Sequence, residues 1–283
     1  MDFAAAHPAV EFIPGRRDAG VLFVCDHASN ALPPETPCLG LPPDEMARHI
    51  AWDIGAAAVT RTLADAFEAP AVLTRFSRLL IDANRGGDDP TLVMRLSDGA
   101  LIPGNARIDA DEIRRRRDAY WAPYRRAIRA AIAAMTQAGP LPAFIGVHSF
   151  TPAWKGVARP WRIGLLWDAD DRIAAPLMAA LRAQGHVVGD NEPYDGALPG
   201  DTLDEEATAH GLAGALIEIR QDLIADPSGQ RDWAARLAEA LRPILARPEL
   251  HRRLFLPSRS GRHKETGDIG QDALTGAGAS AHR

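Results

Sequence analysis

Residues 21–30 read VLFVCDHASN, in which the five apolar residues 21–25 lead directly into the polar cluster 26–30. A short apolar run that ends in polar residues is typical of a buried strand followed by a loop. Similar runs occur further along the chain, at residues 71–74, 79–81, 143–147, 162–166 and 215–219. The sequence therefore predicts several short, buried strands.

Helical patterns separate these runs. They cover residues 44–67, 111–138, 171–184 and 231–246. A bend or break is expected at Pro123, because proline lacks an amide donor and clashes with the preceding turn, and Gly185 is placed to end the third helix. Strands alternating with helices predict an α/β fold: a three-layer sandwich with a largely parallel mixed sheet and helices on both faces.

The pattern continues from residue 10 to residue 257 without a linker, so these residues are predicted to form a single domain. Residues 258–283 are rich in Gly, Ala and Ser and have almost no large apolar side chains. Such a segment cannot offset its ordering entropy by burial, and it is predicted to be a disordered tail.

The composition favours a folded, cytoplasmic protein. Hydrophobic residues make up 46% and charged residues 24% of the chain, which excludes a disordered or fibrous protein. The formal net charge of −5 argues against a nucleic-acid-binding protein, which needs a basic face. No apolar run reaches the ~18 residues of a membrane span, and the first residues do not resemble a signal peptide. The two cysteines, Cys25 and Cys38, fit a reducing compartment.

Polar residues suited to catalysis or binding occupy four of the predicted strand ends. They are His27, Asn84, Arg85, His148 and Glu218. Ligands of parallel sheets bind beyond the carboxyl ends of the strands, so these side chains are expected to meet. Neutral imidazole is the commonest zinc-binding side chain, and two histidines at matching strand ends predict a zinc site assembled from separate loops.

A catalytic zinc takes three protein ligands and one water, so a third ligand is required. Asp53 is the candidate, because it follows His49 by one turn of the predicted helix after the first loop. The alternative is that Asp53 and His49 only pair with each other across that turn. His49 and Asn30 are the alternative third ligands.

Glu218 is the candidate general base. It stands among Leu216, Ile217 and Ile219, and burial raises the pKa of a carboxyl group toward the range useful for a base. The alternative is a structural ion pair with Arg220, two residues further on, or with another arginine.

An anion site is predicted at Asn84 and Arg85, with Arg78 as a further candidate. A guanidinium fork matches the geometry of a carboxylate, so these residues are suited to an acidic substrate. Ser149, next to His148, is a candidate donor to the charge that develops on a substrate oxygen.

These residues lie in blocks whose order and spacing resemble the N-formylglutamate amidohydrolase family over residues 21–223. The blocks are residues 25–29, 49–53, 77–85, 148–150 and 218–220, and residues 191–196 resemble the family's loop before the last strand. The chain also departs from the family. It has Asp-His-Ala-Ser at residues 26–29 instead of Pro-His-Ser-Gly, Phe150 instead of Met, and Arg125 after Tyr124 instead of His.

The resemblance implies a phosphorylase/hydrolase-like fold, related to zinc carboxypeptidases and aspartoacylase-type deacylases. Matched to the family, His27 and His148 are zinc ligands with Asp53 as the third. Glu218 activates water, and Asn84 with Arg85 holds the substrate carboxylate. The implied reaction is hydrolysis of the small molecule N-formyl-L-glutamate to formate and L-glutamate in histidine degradation, with one Zn²⁺ per chain.

Three other functions remain open. The first is a zinc amidase that acts on another N-acyl amino acid or on a cell-wall amide. The second is a metal-free protein that binds a small acid on the same scaffold. The third is a serine hydrolase using Ser29 or Ser149, against which the lack of a Gly-x-Ser-x-Gly motif argues.

Overall fold

Seven strands form one mixed sheet in the computed structural model, which describes residues 8–261. Four more strands form two hairpins outside it. The strands are β1 (Val10–Ile13), β2 (Val21–Cys25), β3 (Ala71–Thr74), β4 (Leu96–Ser97), β5 (Ala100–Leu101), β6 (Ala143–Phe150), β7 (Ala153–Trp154), β8 (Val157–Ala158), β9 (Ile163–Leu166), β10 (Val188–Asp190) and β11 (Gly214–Arg220). The helices are α1 (Pro43–Ala47), α2 (Ala56–Phe67), α3 (Ala110–Arg116), α4 (Ala122–Ala138), α5 (Ala174–Ala183), α6 (Thr202–Glu206) and α7 (Pro227–Leu245).

The strand order of the sheet is β1-β3-β2-β6-β11-β9-β10. The strands β3, β2, β6 and β11 run parallel to one another, whereas β1 is antiparallel to β3 and β9 is antiparallel to β11. Three parallel strands, β2, β6 and β11, therefore direct their carboxyl ends to the same edge. The predicted α/β fold with a largely parallel mixed sheet is confirmed.

The central strands are buried on both faces, which explains their uninterrupted apolar runs. In β2, Phe23 and Cys25 belong to the hydrophobic core that contains α2, α5 and α7. Leu22 and Val24 belong to the core on the opposite face, which contains α4 and α6. Helices therefore cover both faces of the sheet, as predicted.

The strand predicted at residues 79–81 is wrong. Leu79, Leu80 and Ile81 are fully buried, but their backbone forms turns instead of pairing with the sheet. Side chains bind the carbonyl groups that a neighbouring strand would otherwise bind: Asn105 donates to Leu79 O, and Arg116 donates to Leu80 O. Three consecutive apolar residues indicate burial, and burial does not require a strand.

The single helix predicted over residues 44–67 is also wrong. The helix α1 ends at Ala47, and α2 begins after Gly55, whose φ of 82° lies in the left-handed region. The backbone between them is tied to two loops, because Asp53 N donates to His27 O and Arg78 N donates to Ala51 O. These contacts override the helical spacing of the apolar residues, so Asp53 lies in an irregular segment.

The boundaries of the other predicted elements differ less from those in the structure. Pro123 causes no break, because a π-helical turn, Arg117–Trp121, precedes it and the helical path continues into α4. The last helix begins at Pro227, four residues before the predicted start, where the Asp226 side chain accepts from two backbone amides. The strands β1 and β10, at the two edges of the sheet, were not predicted.

The chain continues past residue 257 against the body of the protein. The Arg259 guanidinium donates to Asp195, which lies on the pocket wall described below, and the Arg259 amide donates to Asp168. The remainder of the predicted tail, residues 262–283, lies outside the described residues. Both cysteines are free thiols, and no helix within residues 8–261 is long and apolar enough to cross a membrane.

Candidate active site

A cavity of about 420 Å³ opens beyond the carboxyl ends of β2, β6 and β11. The structure places all eight sequence-predicted site residues on its wall. They are His27, Asp53, Arg78, Asn84, Arg85, His148, Ser149 and Glu218.

Strand register brings two of these side chains together. Glu218 in β11 lies opposite His148 in the parallel neighbour β6, so both side chains project from the same face of the sheet. His27 follows β2 by two residues, and its carbonyl accepts the Asp53 amide at 2.9 Å. Residues from four distant parts of the chain therefore converge at this edge.

Three of them could hold a metal ion. The Asp53 Oδ2 atom lies 3.4 Å from His27 Nδ1 and 2.9 Å from His148 Nδ1, and each of the three residues offers one ligand atom within 4.8 Å of those of the other two. Zinc bonds of about 2.0–2.1 Å in a tetrahedron separate ligand atoms by about 3.3 Å. The donor set and its spacing thus fit a Zn²⁺ ion.

The alternative third ligands lie elsewhere. His49 Nε2 is 3.4 Å from Asp98, although the residue borders the same cavity, and the Asn30 amide donates to Met46 O. Asp53 contacts both histidines of the cluster instead of pairing with His49.

Each histidine of the cluster is braced by a second carboxylate. His27 Nε2 lies 2.6 Å from Asp82 Oδ1, and His148 Nε2 lies 2.9 Å from Asp26 Oδ2. A carboxylate that binds the Nε2–H group fixes the tautomer in which the Nδ1 lone pair is free for a metal. This arrangement is a second observation that fits a metal ion.

The two bracing carboxylates differ in the charge of the groups that donate to them. Asp82 accepts from the Arg78 guanidinium at 2.7 and 3.2 Å, whereas Asp26 accepts from the Tyr124 and Thr202 hydroxyl groups at 2.9 and 2.7 Å. Burial alone would raise the pKa of Asp82, but Arg78 holds it well below its usual range. Both carboxylates are therefore kept ionised, one by a cation and the other by neutral donors and His148.

Glu218 is buried, and its Oε2 atom has no hydrogen-bond partner within residues 8–261. Burial raises the pKa of Glu218 to about 7, and the charge of Asp53 acts in the same direction, while His148 opposes it. The alternative ion pair with Arg220 is not formed, since Arg220 pairs with Asp222 at 2.8 Å. A carboxyl group with this pKa can accept and release a proton near neutral pH.

The predicted substrate-binding residues differ in the partners that their polar atoms already have within the protein. The Arg78 charge is paired with Asp82, whereas Arg85 donates only to Thr91 Oγ1 and Asn84 O. The Asn84 side-chain oxygen accepts the Thr202 amide at 3.0 Å. Within the described residues, Arg85 pairs with no acid, so its charge remains for an anion.

Ser149 contacts the segment that holds Asp53 through both its backbone and its side chain. Its amide lies 3.3 Å from Asp53 Oδ2, and its hydroxyl group donates to Ile54 O at 3.0 Å. The hydroxyl group therefore ties the irregular segment that holds Asp53 to β6.

Sequence reasoning missed the groups that surround the cluster. Asp26 and Asp82 stood within the blocks already singled out, and a carboxylate near a candidate histidine ligand is a usable signal. Tyr124 and Thr202 lie 98 and 176 residues from Asp26, so no local pattern connects them.

Asp201, also on the cavity wall, provides a pH-dependent prediction. Its side chain caps α6 by accepting the Asp204 amide at 2.7 Å, and burial raises its pKa from 3.8 to about 7. A raised pKa contributes stability below pH 3.8 that is lost as the pH rises through 7. Asp201→Asn can keep the cap without a charge. We expect its free energy of unfolding, relative to the wild type, to increase between pH 4 and 7.

Denaturant unfolding at a series of pH values measures this difference. Asp109→Asn is the matched control: Asp109 caps α3 by accepting the Glu112 amide, but it is exposed, so its replacement removes no buried carboxyl group. Equal stability of wild type and Asp201→Asn across this range would contradict the prediction.

The comparisons with known proteins agree with the fold. A family model described as N-formylglutamate amidohydrolase matches residues 19–225. The structure of a gene product of Agrobacterium tumefaciens is 36% identical and superposes with a TM-score of 0.79, covering 84% of this chain and 95% of that one. An N-formylglutamate amidohydrolase from Ralstonia eutropha is 18% identical, with a TM-score of 0.66 over 84% and 97% of the two chains, a likeness of fold. The comparison with curated proteins gave no match.

Proposed function

Because the chain belongs to the N-formylglutamate amidohydrolase family, we propose that it is a zinc-dependent enzyme that hydrolyses the amide bond of N-acyl amino acids. N-formyl-L-glutamate is the first candidate substrate, with formate and L-glutamate as products. A cytoplasmic location and a role in histidine degradation belong to the same proposal, as does a single catalytic domain over residues 10–257.

One observation carries the proposal: the cluster of His27, Asp53 and His148 lies beside a buried glutamate whose pKa is raised to about 7. These three residues would hold the zinc ion, with Asp82 and Asp26 fixing the histidine tautomers. When bound there, zinc supplies Lewis-acid chemistry, which polarises an amide carbonyl and lowers the pKa of water.

Glu218 moves the proton. It accepts a proton from the water molecule whose oxygen attacks the acyl carbon, and it releases that proton to the amide nitrogen as the carbon–nitrogen bond breaks. Its unpartnered Oε2 atom is available for this transfer, since no neighbouring donor within the described residues occupies it.

Arg85 and Asn84 orient the substrate. The Arg85 guanidinium, with no acidic partner among residues 8–261, binds the carboxylate of the amino acid, and the Asn84 amide group is a second donor beside it. Arg78 stays paired with Asp82, so its main effect is to hold the His27 brace in place.

The test is metal analysis of the purified protein, combined with assays on a panel of N-formyl, N-acetyl and longer N-acyl amino acids. We expect about one zinc per chain and hydrolysis of at least one member. Zinc with activity only on another member would keep the mechanism and change the substrate. Failure to bind zinc even after its addition would contradict the proposal and favour a metal-free binding protein.

A further inference from the structure

Tyr194 lines the same cavity as Glu218 and Asp53, but none of the steps above uses it. The residue belongs to the loop that follows β10. Asn191 anchors this loop, because its side-chain oxygen accepts the amides of Trp167 and Gly196, each at 3.0 Å. Asn191 and Gly196 flank Tyr194, so these hydrogen bonds fix its backbone at the cavity wall.

Close packing against β9 limits the movement of the loop further. Gly164 in β9 lies under it, and a Cβ atom at that position would lie 1.9 Å from Glu192 O. No residue larger than glycine fits there, so the loop can approach β9 this closely only because residue 164 lacks a side chain.

Arg159 holds the Tyr194 hydroxyl group. Its Nη1 atom donates to Tyr194 Oη at 3.3 Å and to Thr151 Oγ1 at 3.0 Å. The guanidinium also lies 5.2 Å from the Tyr194 ring centroid and 5.6 Å from that of Trp154. Within residues 8–261 no acidic side chain forms an ion pair with Arg159, so its positive charge is directed at the phenol and the rings.

This contact leaves the phenolic proton available. Because Tyr194 Oη accepts from Arg159, its own O–H group must donate elsewhere, and no described residue accepts from it. Tyr194 is 46% exposed, but desolvation of its hydroxyl group at the cavity wall and the negative charge of Glu218 raise its pKa, so the group stays protonated at neutral pH. A hydroxyl group that accepts from a cation is also a stronger donor.

We propose that Tyr194 is a further catalytic residue, whose hydroxyl group donates a hydrogen bond to the carbonyl oxygen of the scissile amide, and that Arg159 positions this hydroxyl group. The hydrogen bond strengthens as negative charge develops on that oxygen, so it stabilises the transition state more than the bound substrate. The inference rests on the proposed function, since it assumes an amide in this cavity.

The experiment compares Tyr194→Phe, Arg159→Ala and the double variant, each loaded with zinc. Tyr194→Phe keeps the ring and removes the donor, so kcat should fall about a hundredfold with little change in KM. Arg159→Ala should lower kcat by less, and it should cause no additional loss once Tyr194 is Phe, because it acts through that hydroxyl group. Arg162→Ala is the matched control, since the Arg162 guanidinium also lies over an aromatic ring, but over that of Trp233 instead of that of Tyr194.

A binding measurement separates this inference from the proposed function. The probe is N-(methylphosphonyl)-L-glutamate, whose tetrahedral phosphorus places an anionic oxygen where the amide oxygen would become charged. Weaker binding to zinc-loaded Tyr194→Phe by about a hundredfold, with unchanged L-glutamate binding and zinc content, supports the inference even if no amide is hydrolysed. Equal affinity of wild type and Tyr194→Phe, or no binding to either, overturns it. Additive losses in the double variant overturn the role of Arg159.

Discussion

Glu218→Gln is expected to lose about a thousandfold in kcat while it keeps its zinc, because glutamine has the same shape but cannot accept the proton from the attacking water. Glu218 is not one of the three clustered ligand residues, so its replacement leaves the donor set intact. Removing a buried carboxyl group whose pKa is raised to about 7 also removes a desolvation penalty. The variant should therefore be at least as stable as the wild type.

Steady-state kinetics, zinc analysis and thermal unfolding of the same samples test this prediction. Glu206→Gln is the matched control, because Glu206 is also buried but pairs with Arg129 at 2.8 Å, away from the cavity wall. We expect that control to lose stability and to keep its kcat. Wild-type turnover in Glu218→Gln would show that another group takes the proton.

His148→Ala is expected to lose both zinc and activity. His148 contacts Asp53 through Nδ1 and Asp26 through Nε2, each at 2.9 Å, so its removal deletes one proposed ligand and leaves two buried carboxylates without their shared partner. Leaving a buried acceptor without its donor costs about 1–3 kcal/mol, and more when the acceptor is charged. Zinc affinity should therefore fall steeply, and the unfolding temperature should fall with it.

Competition with a chromophoric chelator measures the zinc affinity of each variant. His49→Ala is the informative comparison, because His49 borders the cavity but lies against Asp98 instead of the cluster. It should retain zinc at wild-type affinity. If His49→Ala lost the metal while His148→Ala retained it, the assignment of the ligands would be wrong.

The sequence predicts the convergence of polar side chains wherever they follow an apolar strand. His27, His148 and Glu218 lie at or near the ends of strands whose apolar runs are unambiguous, because those strands are buried on both faces of the sheet. Their convergence follows from parallel pairing, which brings carboxyl ends to one edge. Strand pattern alone therefore indicated where the three residues meet.

The same reasoning failed where tertiary contacts determine the backbone. The helical spacing that points to Asp53 is absent from the structure, yet Asp53 lies in the cluster because its amide donates to His27 O. The strand predicted just before Asn84 and Arg85 is a buried turn in the structure. Its carbonyl groups bind the side chains of Asn105 and Arg116 instead of a neighbouring strand. Such contacts join residues far apart in the chain, so local periodicity cannot predict them.

The sequence does not predict the position of the Tyr194 hydroxyl group, for a further reason. Its position depends on Asn191 and on the space that Gly164 leaves, and its orientation depends on Arg159. A tyrosine in a loop has no periodic pattern, and the arginine that holds it comes 35 residues earlier.

The bracing of His148 also has a consequence for how the protein folds. The contacts of His148 with Asp53 and Asp26 join residues 95 and 122 apart, and the contact of Asp26 with Thr202 joins residues 176 apart. Contacts between residues so far apart in sequence form late, after the chain has lost most of its loop-closure entropy. A chain that has not completed its central sheet therefore lacks the cluster of His27, Asp53 and His148. If this cluster holds zinc as proposed, metal affinity reports on the integrity of the central sheet, and we expect proteolytic or thermal damage to the sheet to release zinc.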